Sequence, residues 1–557
     1  MRETAGNRYL GMYVLLTSVV VCLFISPTNS IDPVNLPKLS LLIILSFITA
    51  GFVFSQRDFL KARKSRPILI VIGLFILQLF LVLLVDNRDF AFKFYGTYGR
   101  NTGFAAYLSL AFLFTASVVS GSVVLLTRYY IAIVGTGALL AFYGIAQSKG
   151  VDFYEFDLGI GTSVFGSFGN SNFQSAFMGI VAATASSLML FSRAKIYLRL
   201  ALLPFITLAL YNVSLSSQQG YLNFAAGIAI ASVIFLLKSR KPILGWIALG
   251  LSSVAGVLVL LAILNKGPLA DVIYKSSLQA RGFYWRAAFE MMINHPFFGV
   301  GMDGYGDWYM RARAKDYFSS GFGTVSDTAH SVPLDIGSNG GFPLFLLYMG
   351  IIVLVLVSIV RIMKRSTGFD VVFTTIVAAW VAYQAQSFIS INQLGLGVWG
   401  WSLSGLIIGY ELNTRPDIKV ESLKSGKKAK HATQSISALA VVLTFISTGA
   451  GIAIALPPYL AAGKFYKALQ SGDAAVIEPA AYLKPYERFR FLYVSQILQE
   501  NKLESRAIAV LRDASKIYPD SMQLWQRWAG IPSASPSDIA KAKAEMKRLD
   551  PFNPELK

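Results

Sequence analysis

The chain has 557 residues, of which 54% are hydrophobic and only 14% are charged, and it carries a formal net charge of +20. Soluble domains contain about a quarter charged residues, so this composition excludes a set of ordinary soluble domains and indicates many membrane-spanning segments. The single cysteine, Cys22, excludes structural disulfides and cysteine-based zinc sites.

Long apolar segments recur along most of the chain. A bilayer core of about 30 Å needs about 20 apolar residues of helix, and the stretch 67–85 contains one polar residue, Gln78. The first apolar run follows two arginines, but no small-residue cleavage site follows Ile25, so we expect it to be retained as a span. The predicted fold class is all-α, a polytopic transmembrane helical protein. The spans are predicted near 9–26, 39–56, 67–85, 103–122, 129–147, 173–191, 197–213, 221–237, 243–264, 342–360, 370–387, 394–411 and 436–456, thirteen in all.

The lysines and arginines predict the orientation. With a cytoplasmic N-terminus, the inside loops carry 23 basic residues and the short outside loops carry five. The positive-inside rule predicts this alternation, so the positive charge reflects topology, and we expect no nucleic-acid partner.

Four regions follow from this topology. Residues 1–264 form about nine N-terminal spans, and 265–341 form a long extracytoplasmic loop. Residues 342–457 form the C-terminal spans, and 458–557 form a soluble tail on the same outer side as the loop. We refer to 265–341 as the long loop and to 458–557 as the tail.

The tail contains three similar proline corners, at Pro485, Pro519 and Pro551. Their spacings of 34 and 32 residues are close to the tetratricopeptide period, and helical apolar patterns lie between them. The alternative is an unrelated helical hairpin. In either case the pattern predicts a docking module, with a protein partner expected for the tail and no catalytic residues.

Polar residues at the outward ends of the spans form four clusters. Taken singly, glycines and asparagines at span mouths are often turns or caps, outward arginines often bind lipid headgroups, and a lone His330 is more often structural. Together they place arginines, asparagines and an imidazole on one face, which indicates a functional site. The clusters are 95–103, 166–172, 281–301 and 329–341.

The order of these motifs resembles the O-antigen ligase superfamily over residues 85–410. The shared pattern is an arginine, a tryptophan and a Pro-Phe-Phe-Gly-Val-Gly turn, then Ala-His-Ser and a glycine pair entering a span. The early Arg-x-x-Gly and Gly-x-Phe-Gly-Asn-x-Asn segments also match. The corresponding positions are Arg281, Trp285, 296–301, 329–331, Gly340-Gly341, Arg100 with Gly103, and 166–172.

One segment departs from the superfamily's pattern. Many members carry a Ser-Arg pair at the mouth of the span corresponding to the eighth, whereas here the segment 216–220 reads Ser-Ser-Gln-Gln-Gly, with Gln218 in place of a basic residue. If that arginine holds donor phosphates, Arg286 or Arg100 would replace it here.

The resemblance implies a GT-C-like membrane glycosyltransferase of the O-antigen ligase type. Such an enzyme moves a glycan from a polyprenyl-diphosphate carrier to a hydroxyl of a lipid or protein acceptor, at the outer face of the bacterial cytoplasmic membrane, where membrane lipids surround it. Within this reaction Arg281 would neutralise the diphosphate leaving group, and His330, with a pKa near ambient pH, would be the base for the acceptor hydroxyl.

Further residues would bind the donor. Arg286 and Arg100 are expected at the diphosphate, and Asn170 and Asn172 at the sugar or phosphate. No cofactor is expected. A metal-dependent version is the weaker hypothesis, based on Asp303 and Asp307 at a spacing of four residues.

Other functions remain open at this point. A polysaccharide polymerase and a protein O-oligosaccharyltransferase share the same resemblance and differ in the acceptor. A lipid-linked oligosaccharide flippase is a different class, although transporters usually show an internal repeat, and none is evident among the spans. A catalytically inactive scaffold that docks envelope enzymes through its tail is a third class.

Overall fold

A computed structural model of the chain describes residues 5–26, 31–152, 164–264, 266–270, 276–314, 325–415 and 438–556. Within these ranges every regular element is helical, as the composition predicts. Helices suit an apolar surrounding because each satisfies its own backbone hydrogen bonds.

The N-terminal region contains long apolar helices joined by short connections. They are α1 (Ala5–Leu23), α2 (Asn35–Ser55), α3 (Arg57–Lys61), α4 (Arg66–Val85), α5 (Phe90–Tyr95), α6 (Phe104–Ser120), α7 (Val123–Ser148), α8 (Ser171–Phe191), α9 (Ile196–Leu200), α10 (Leu203–Ser216), α11 (Gln219–Leu237) and α12 (Pro242–Ile263).

The long loop and the remaining spans follow. Their helices are α13 (Ser276–Asn294), α14 (Tyr305–Ala312), α15 (Val332–Arg365), α16 (Val371–Ile389), α17 (Leu394–Thr414) and α18 (Ala438–Gln470). The tail adds five short helices, α19 (Ala474–Ala480), α20 (Arg488–Glu500), α21 (Glu504–Ile517), α22 (Met522–Ala529) and α23 (Pro536–Leu549).

The predicted spans correspond to helices in the structure. A helix occupies each of the thirteen predicted positions, apart from residues 436 and 437, which lie outside the described ranges. In the described chain, ten helical segments are long and apolar enough to cross a membrane, and α1 and α6 contain shorter apolar helices. The prediction of a polytopic helical membrane protein is confirmed.

The helices differ greatly in burial. The most apolar window of α8 is 83% buried, whereas that of α12 is 11% buried and exposes Trp246 and Leu251. Central helices therefore pack on protein, and α12 presents an apolar face suited to lipid. Polar contacts join the central helices, because the Trp380 indole donates to Ser404 at 2.8 Å between α16 and α17.

The basic connections gather at one end of the bundle. The Lys238 ammonium donates to the Ser366 carbonyl oxygen at 2.7 Å, and Arg365 and Arg415 both pair with Glu411, at 3.1 and 2.6 Å. This end lies at the opposite end of α15 from His330. The arrangement agrees with the predicted alternation of loops, and the orientation in the membrane stays a prediction.

Helix α15 is broken near its beginning. Gly341 has φ +74°, a conformation that favours glycine, and a Cβ there would lie 2.6 Å from the Pro296 carbonyl oxygen. The following Phe342 N–H donates to that same oxygen at 2.8 Å. The break thus joins the turn at 296–301 to the glycine pair, two motifs that the sequence places about forty residues apart.

The tail is helical, as predicted, and packs on the 96–103 turn and on the long loop. Pro485 precedes α20, Pro519 separates α21 from α22, and Pro551 follows α23, so each predicted corner lies between or beyond helices. The Tyr98 and Phe489 rings stack at 4.7 Å across the contact. Membership of the tetratricopeptide class stays a prediction.

Ion pairs also fix the tail to α14 and the residue after it. Each of three arginines pairs with an aspartate across the interface, with about 180 to 240 residues of chain between the partners. The pairs are Arg488 with Asp307, Arg311 with Asp520, and Arg313 with Asp550, each at 2.5 Å.

Candidate active site

His330 lies two residues before α15, next to the N-cap Ser331, and has φ +50°. Its Nδ1 is 3.3 Å from the hydroxyl oxygens of Ser326 and Thr328 and 3.3 Å from the Thr328 carbonyl oxygen. Its ring centroid lies 5.0 Å from that of Tyr284. Donation from Nδ1–H to the carbonyl leaves Nε2 unprotonated. No hydrogen bond to Nε2 is formed within the described chain, so its lone pair is available to accept a proton.

Arg281 belongs to the same cluster through α13. Arg281, Tyr284 and Ala288 share one face of this helix because three- and four-residue steps return to the same side, and all three are buried. The Arg281 Nε, itself buried, has no hydrogen-bond partner within the described residues. Among the described residues, no carboxylate pairs with this buried arginine.

Burial and two nearby arginines keep the imidazole neutral. The pKa of His330 is lowered to about 4. Burial is the largest cause, and the positive charges of Arg100 and Arg281 contribute to the same shift. This differs from the pKa near ambient pH expected from the residue type. Burial also lowers the pKa of Arg281 to about 10, with Tyr284 opposing the shift. At neutral pH the imidazole is neutral and Arg281 is charged.

Arg100 lies at the edge of this cluster and is already paired. Its Nε donates to Asp327 at 2.5 Å, and its terminal nitrogen donates to the second carboxylate oxygen. Burial opposes ionisation of Asp327, but Arg100 outweighs it and lowers the pKa of that carboxyl. Nearby, Asp303 accepts from the Thr97 N–H at 2.6 Å. The turn at 96–103 is thus tied to the long loop at two points.

Two side chains that the sequence reasoning did not select hold the loop in place. The Gln78 amide donates to the carbonyl oxygens of Phe297 at 2.6 Å and Gly340 at 3.3 Å. The Asn339 side-chain oxygen accepts from two backbone N–H groups at the start of α14, each at 3.1 Å. The signal for Gln78 was present, as the one polar residue of its span.

Asn170 and Asn172 lie at the start of α8, where both are exposed. The Asn170 side chain caps the helix by accepting from the Asn172 N–H at 2.8 Å. Their turn lies near the Arg100 turn, because Gly169 approaches Val34 and the neighbouring Asn35 amide donates to the Gly99 carbonyl oxygen at 2.8 Å. No described hydrogen bond joins either asparagine to His330.

Arg286 lies on a different side of α13 from Arg281. It is exposed, while Arg281 is buried, because the five-residue step between them turns to a different side of α13. Its guanidinium lies 4.9 Å from the Phe283 ring centroid. The structure therefore brings Arg281 and Arg100 toward the imidazole and leaves Arg286 outside.

The segment 216–220 packs against α8. The Ser175 hydroxyl donates to the Ser217 carbonyl oxygen and accepts from the Gly220 N–H at 2.9 Å. The segment 216–220 contains no lysine or arginine, unlike the superfamily pattern. The described cations of the site are therefore Arg281 on α13 and Arg100 on the 96–103 turn.

The two aspartates considered for a metal engage different partners. Asp303 accepts from Thr97 and Thr102, and Asp307 pairs with Arg488 of the tail. Across the described ranges, no three His, Cys, Asp or Glu side chains form a group that could hold a metal ion.

These features define a class: a many-spanned helical membrane protein with a cationic site and an imidazole at the end of its bundle. Residues 203–349 match the family model described as O-antigen ligase. The match runs from α10 into α15 and contains Arg281, the 296–301 turn, His330 and the glycine pair. The predicted resemblance to this family is confirmed over the matched residues. No curated protein matches the chain.

Proposed function

We propose that the protein transfers a glycan from a polyprenyl-diphosphate carrier to an acceptor hydroxyl on the outer face of the bacterial cytoplasmic membrane, as an O-antigen ligase does. The observation that carries this proposal is a neutral imidazole near buried Arg281, which no described carboxylate pairs with, inside the segment matched to that family. In this orientation the N-terminus is cytoplasmic, and the long loop and the tail are extracytoplasmic.

Arg281 has the properties of a diphosphate ligand. A buried cation without a counter-charge is unfavourable, and a bound anion would supply that charge. The negative charge on the diphosphate increases as the bond to the sugar breaks, so a fixed guanidinium stabilises the transition state more than the bound donor.

His330 acts on the acceptor. The acceptor oxygen forms a bond to the anomeric carbon, its proton passes to Nε2 of His330, and the bond between that carbon and the diphosphate oxygen breaks with its electron pair on the diphosphate. The charge of a bound donor offsets Arg281 and Arg100, so it raises the pKa of the imidazole and makes it a stronger base in the complex.

The other predicted residues have supporting roles. Arg100 positions the 325–331 segment through Asp327 and adds positive charge. Asn170 and Asn172, exposed beside the Arg100 turn, are placed to contact the glycan. Arg286 contacts only the outer part of the donor and has a weaker role. The apolar bundle accommodates the polyprenyl chain.

His330→Ala tests the proposal. We expect transfer to fall by about 10²- to 10⁴-fold, the usual contribution of a general base. The measurement follows lipid-linked glycan and transferred product in membranes that contain equal amounts of each protein. The matched control is His295→Ala, a half-buried histidine whose ring packs on Trp308 at 4.6 Å.

The products separate the alternatives. Unchanged transfer by His330→Ala would overturn the assignment of the base. Glycan trapped on the inner leaflet would indicate a flippase, and longer glycan still attached to the carrier would indicate a polymerase. Glycan on protein would indicate a protein O-oligosaccharyltransferase.

A further inference from the structure

A cavity of about 440 Å³ lies between the long loop and the tail, outside the cluster around Arg281. Its volume falls within the range of about 300–1,000 Å³ typical of small-ligand pockets. One wall comes from α14 and the segment 325–327, and the other comes from Arg488, from α22 with its cap Ser521, and from Leu549 of α23.

The charged groups of this cavity neutralise one another. Asp307 pairs with Arg488 across the two walls, and Asp327 pairs with Arg100. A pocket whose charges are already paired has little electrostatic attraction for an ion, so its lining favours an uncharged ligand.

The tail wall offers hydrogen-bonding groups that the protein does not use. Gln523 and Gln526 lie three residues apart on α22, which places them on the same side of that helix. Both are exposed, and neither side chain has a hydrogen bond within the described residues. Each amide presents two donors and one acceptor oxygen to the cavity.

The tail wall is firmly held. The opposite face of α22 buries Trp525 and Trp528, whose rings stack at 5.5 Å, and the Ser521 hydroxyl caps the helix. Asp520, directly before the cap, pairs with Arg311 of the opposite wall. The backbone that carries the two glutamines is therefore fixed opposite the loop wall.

The loop wall connects the cavity to the candidate active site. Ser326 lines the cavity and its hydroxyl lies 3.3 Å from Nδ1 of His330. A ligand in the cavity is therefore separated from the imidazole by one side chain.

We propose that this cavity is a carbohydrate subsite, in which α22 of the tail binds a sugar unit of the glycan through Gln523 and Gln526. Amide groups suit the many hydroxyls of a sugar, and Met310 and Met522 give apolar contact for the face of a pyranose ring. This inference rests on the proposed function and extends it: the tail becomes part of the substrate site. The sugar belongs either to the donor or to the acceptor.

Direct binding is the first test. The probe is a fluorescently labelled oligosaccharide released by mild acid from the lipid-linked glycan of the producing cells, titrated into the full chain in lipid nanodiscs. We expect the double variant Gln523→Ala/Gln526→Ala to bind it at least tenfold more weakly. The matched control is Gln496→Ala/Gln499→Ala, on α20 and outside the cavity, and it should bind as the wild type does. Equal binding by wild type and the Gln523/Gln526 variant, or no binding by wild type, overturns the proposal.

Transfer kinetics identify the source of the sugar. A higher KM for the donor with an unchanged KM for the acceptor assigns the subsite to the donor glycan, and the reverse assigns it to the acceptor. Unchanged KM values for both overturn the proposal. An equal melting temperature for wild type and variant excludes a folding defect, and none is expected because both glutamines are exposed.

The His330→Ala protein separates this inference from the proposed function. If it binds the oligosaccharide as wild type does but transfers nothing, both stand. If it transfers normally, the proposed chemistry fails while the subsite stands. If it is inactive and the glutamine variant binds normally, only the subsite fails.

Discussion

The loop–tail interface and the His330 cluster both contain buried or half-buried arginines. The two regions differ in whether a carboxylate pairs with the arginine. In the interface, Arg313 is 5% exposed and pairs with Asp550, which is 2% exposed. In the cluster, Arg281 is 8% exposed, and no carboxylate of the described ranges pairs with it. Paired arginines can be explained by assembly alone. A buried arginine without a carboxylate costs stability, so assembly alone does not explain it, and an anionic ligand does.

Arg281→Ala is the strongest test of this contrast. We expect transfer to fall by about 10²- to 10³-fold, as when one group that stabilises transition-state charge is removed. The melting temperature should not fall, because the variant removes an uncompensated buried charge. Transfer measured in nanodiscs together with thermal unfolding checks both. A variant that loses stability and activity together would place Arg281 with the structural arginines.

Arg313→Ala should have the opposite effect. It leaves Asp550 buried without its cation, which costs about 3–5 kcal/mol. The tail should open first, measured by hydrogen exchange of α23 in the full chain. Lys516→Ala is the control, because Lys516 pairs with Asp513 in the exposed part of the tail and should change little. Unchanged protection in Arg313→Ala would show that this pair does not hold the tail.

The pH dependence sharpens the comparison further. His330 has a pKa lowered to about 4, chiefly by burial and also by the two arginines, so the base stays unprotonated as the pH falls until it nears 4. We therefore expect the acid limb of kcat/KM well below the value of about 6.5 for an ordinary histidine. The acid limb of the kcat profile should lie at higher pH than that of kcat/KM, because the negative charge of bound diphosphate offsets the positive charge of the two arginines. Coincident limbs near 6.5 would contradict the buried, cationic setting of the imidazole.

Arg286→Ala should have the smallest effect. Because Arg286 lies outside the cluster, we expect its loss to raise the activation free energy by no more than about 0.5 kcal/mol, which is about twofold in transfer rate. The same transfer assay measures it, with Arg281→Ala alongside. A loss as large as that of Arg281→Ala would move the donor site to the outer side of α13.

Hydropathy and charge alternation were sufficient to predict the helices of the bundle. A span that meets lipid must be apolar along its length, so local composition carries the signal. Leu394–Thr414 was also predicted, although its glycines and serines make it less apolar. The structure explains its composition, because it lies among other helices and is buried nearly throughout.

The site was only partly predictable. His330 and Arg281 could be selected because spaced motifs resembled a known superfamily. The contacts of Gln78 and Asn339 and the three Arg–Asp pairs could not be predicted. They join residues that are far apart in the chain, and a single sequence does not show which distant residues meet. Asn170 is a helix cap in the structure, which is what a polar residue at a span mouth most often is.

Helix α18 has a consequence for geometry. It runs without interruption for 33 residues from the last span into the base of the tail, although it contains Pro457 and Pro458. Such a helix is about 50 Å long, which exceeds a hydrocarbon core of about 30 Å by about 20 Å. The length of this helix therefore sets the distance between the tail and the lipid. A glycan joined at this site would meet the protein at a constant distance from the bilayer, whatever the length of the polymer beyond it.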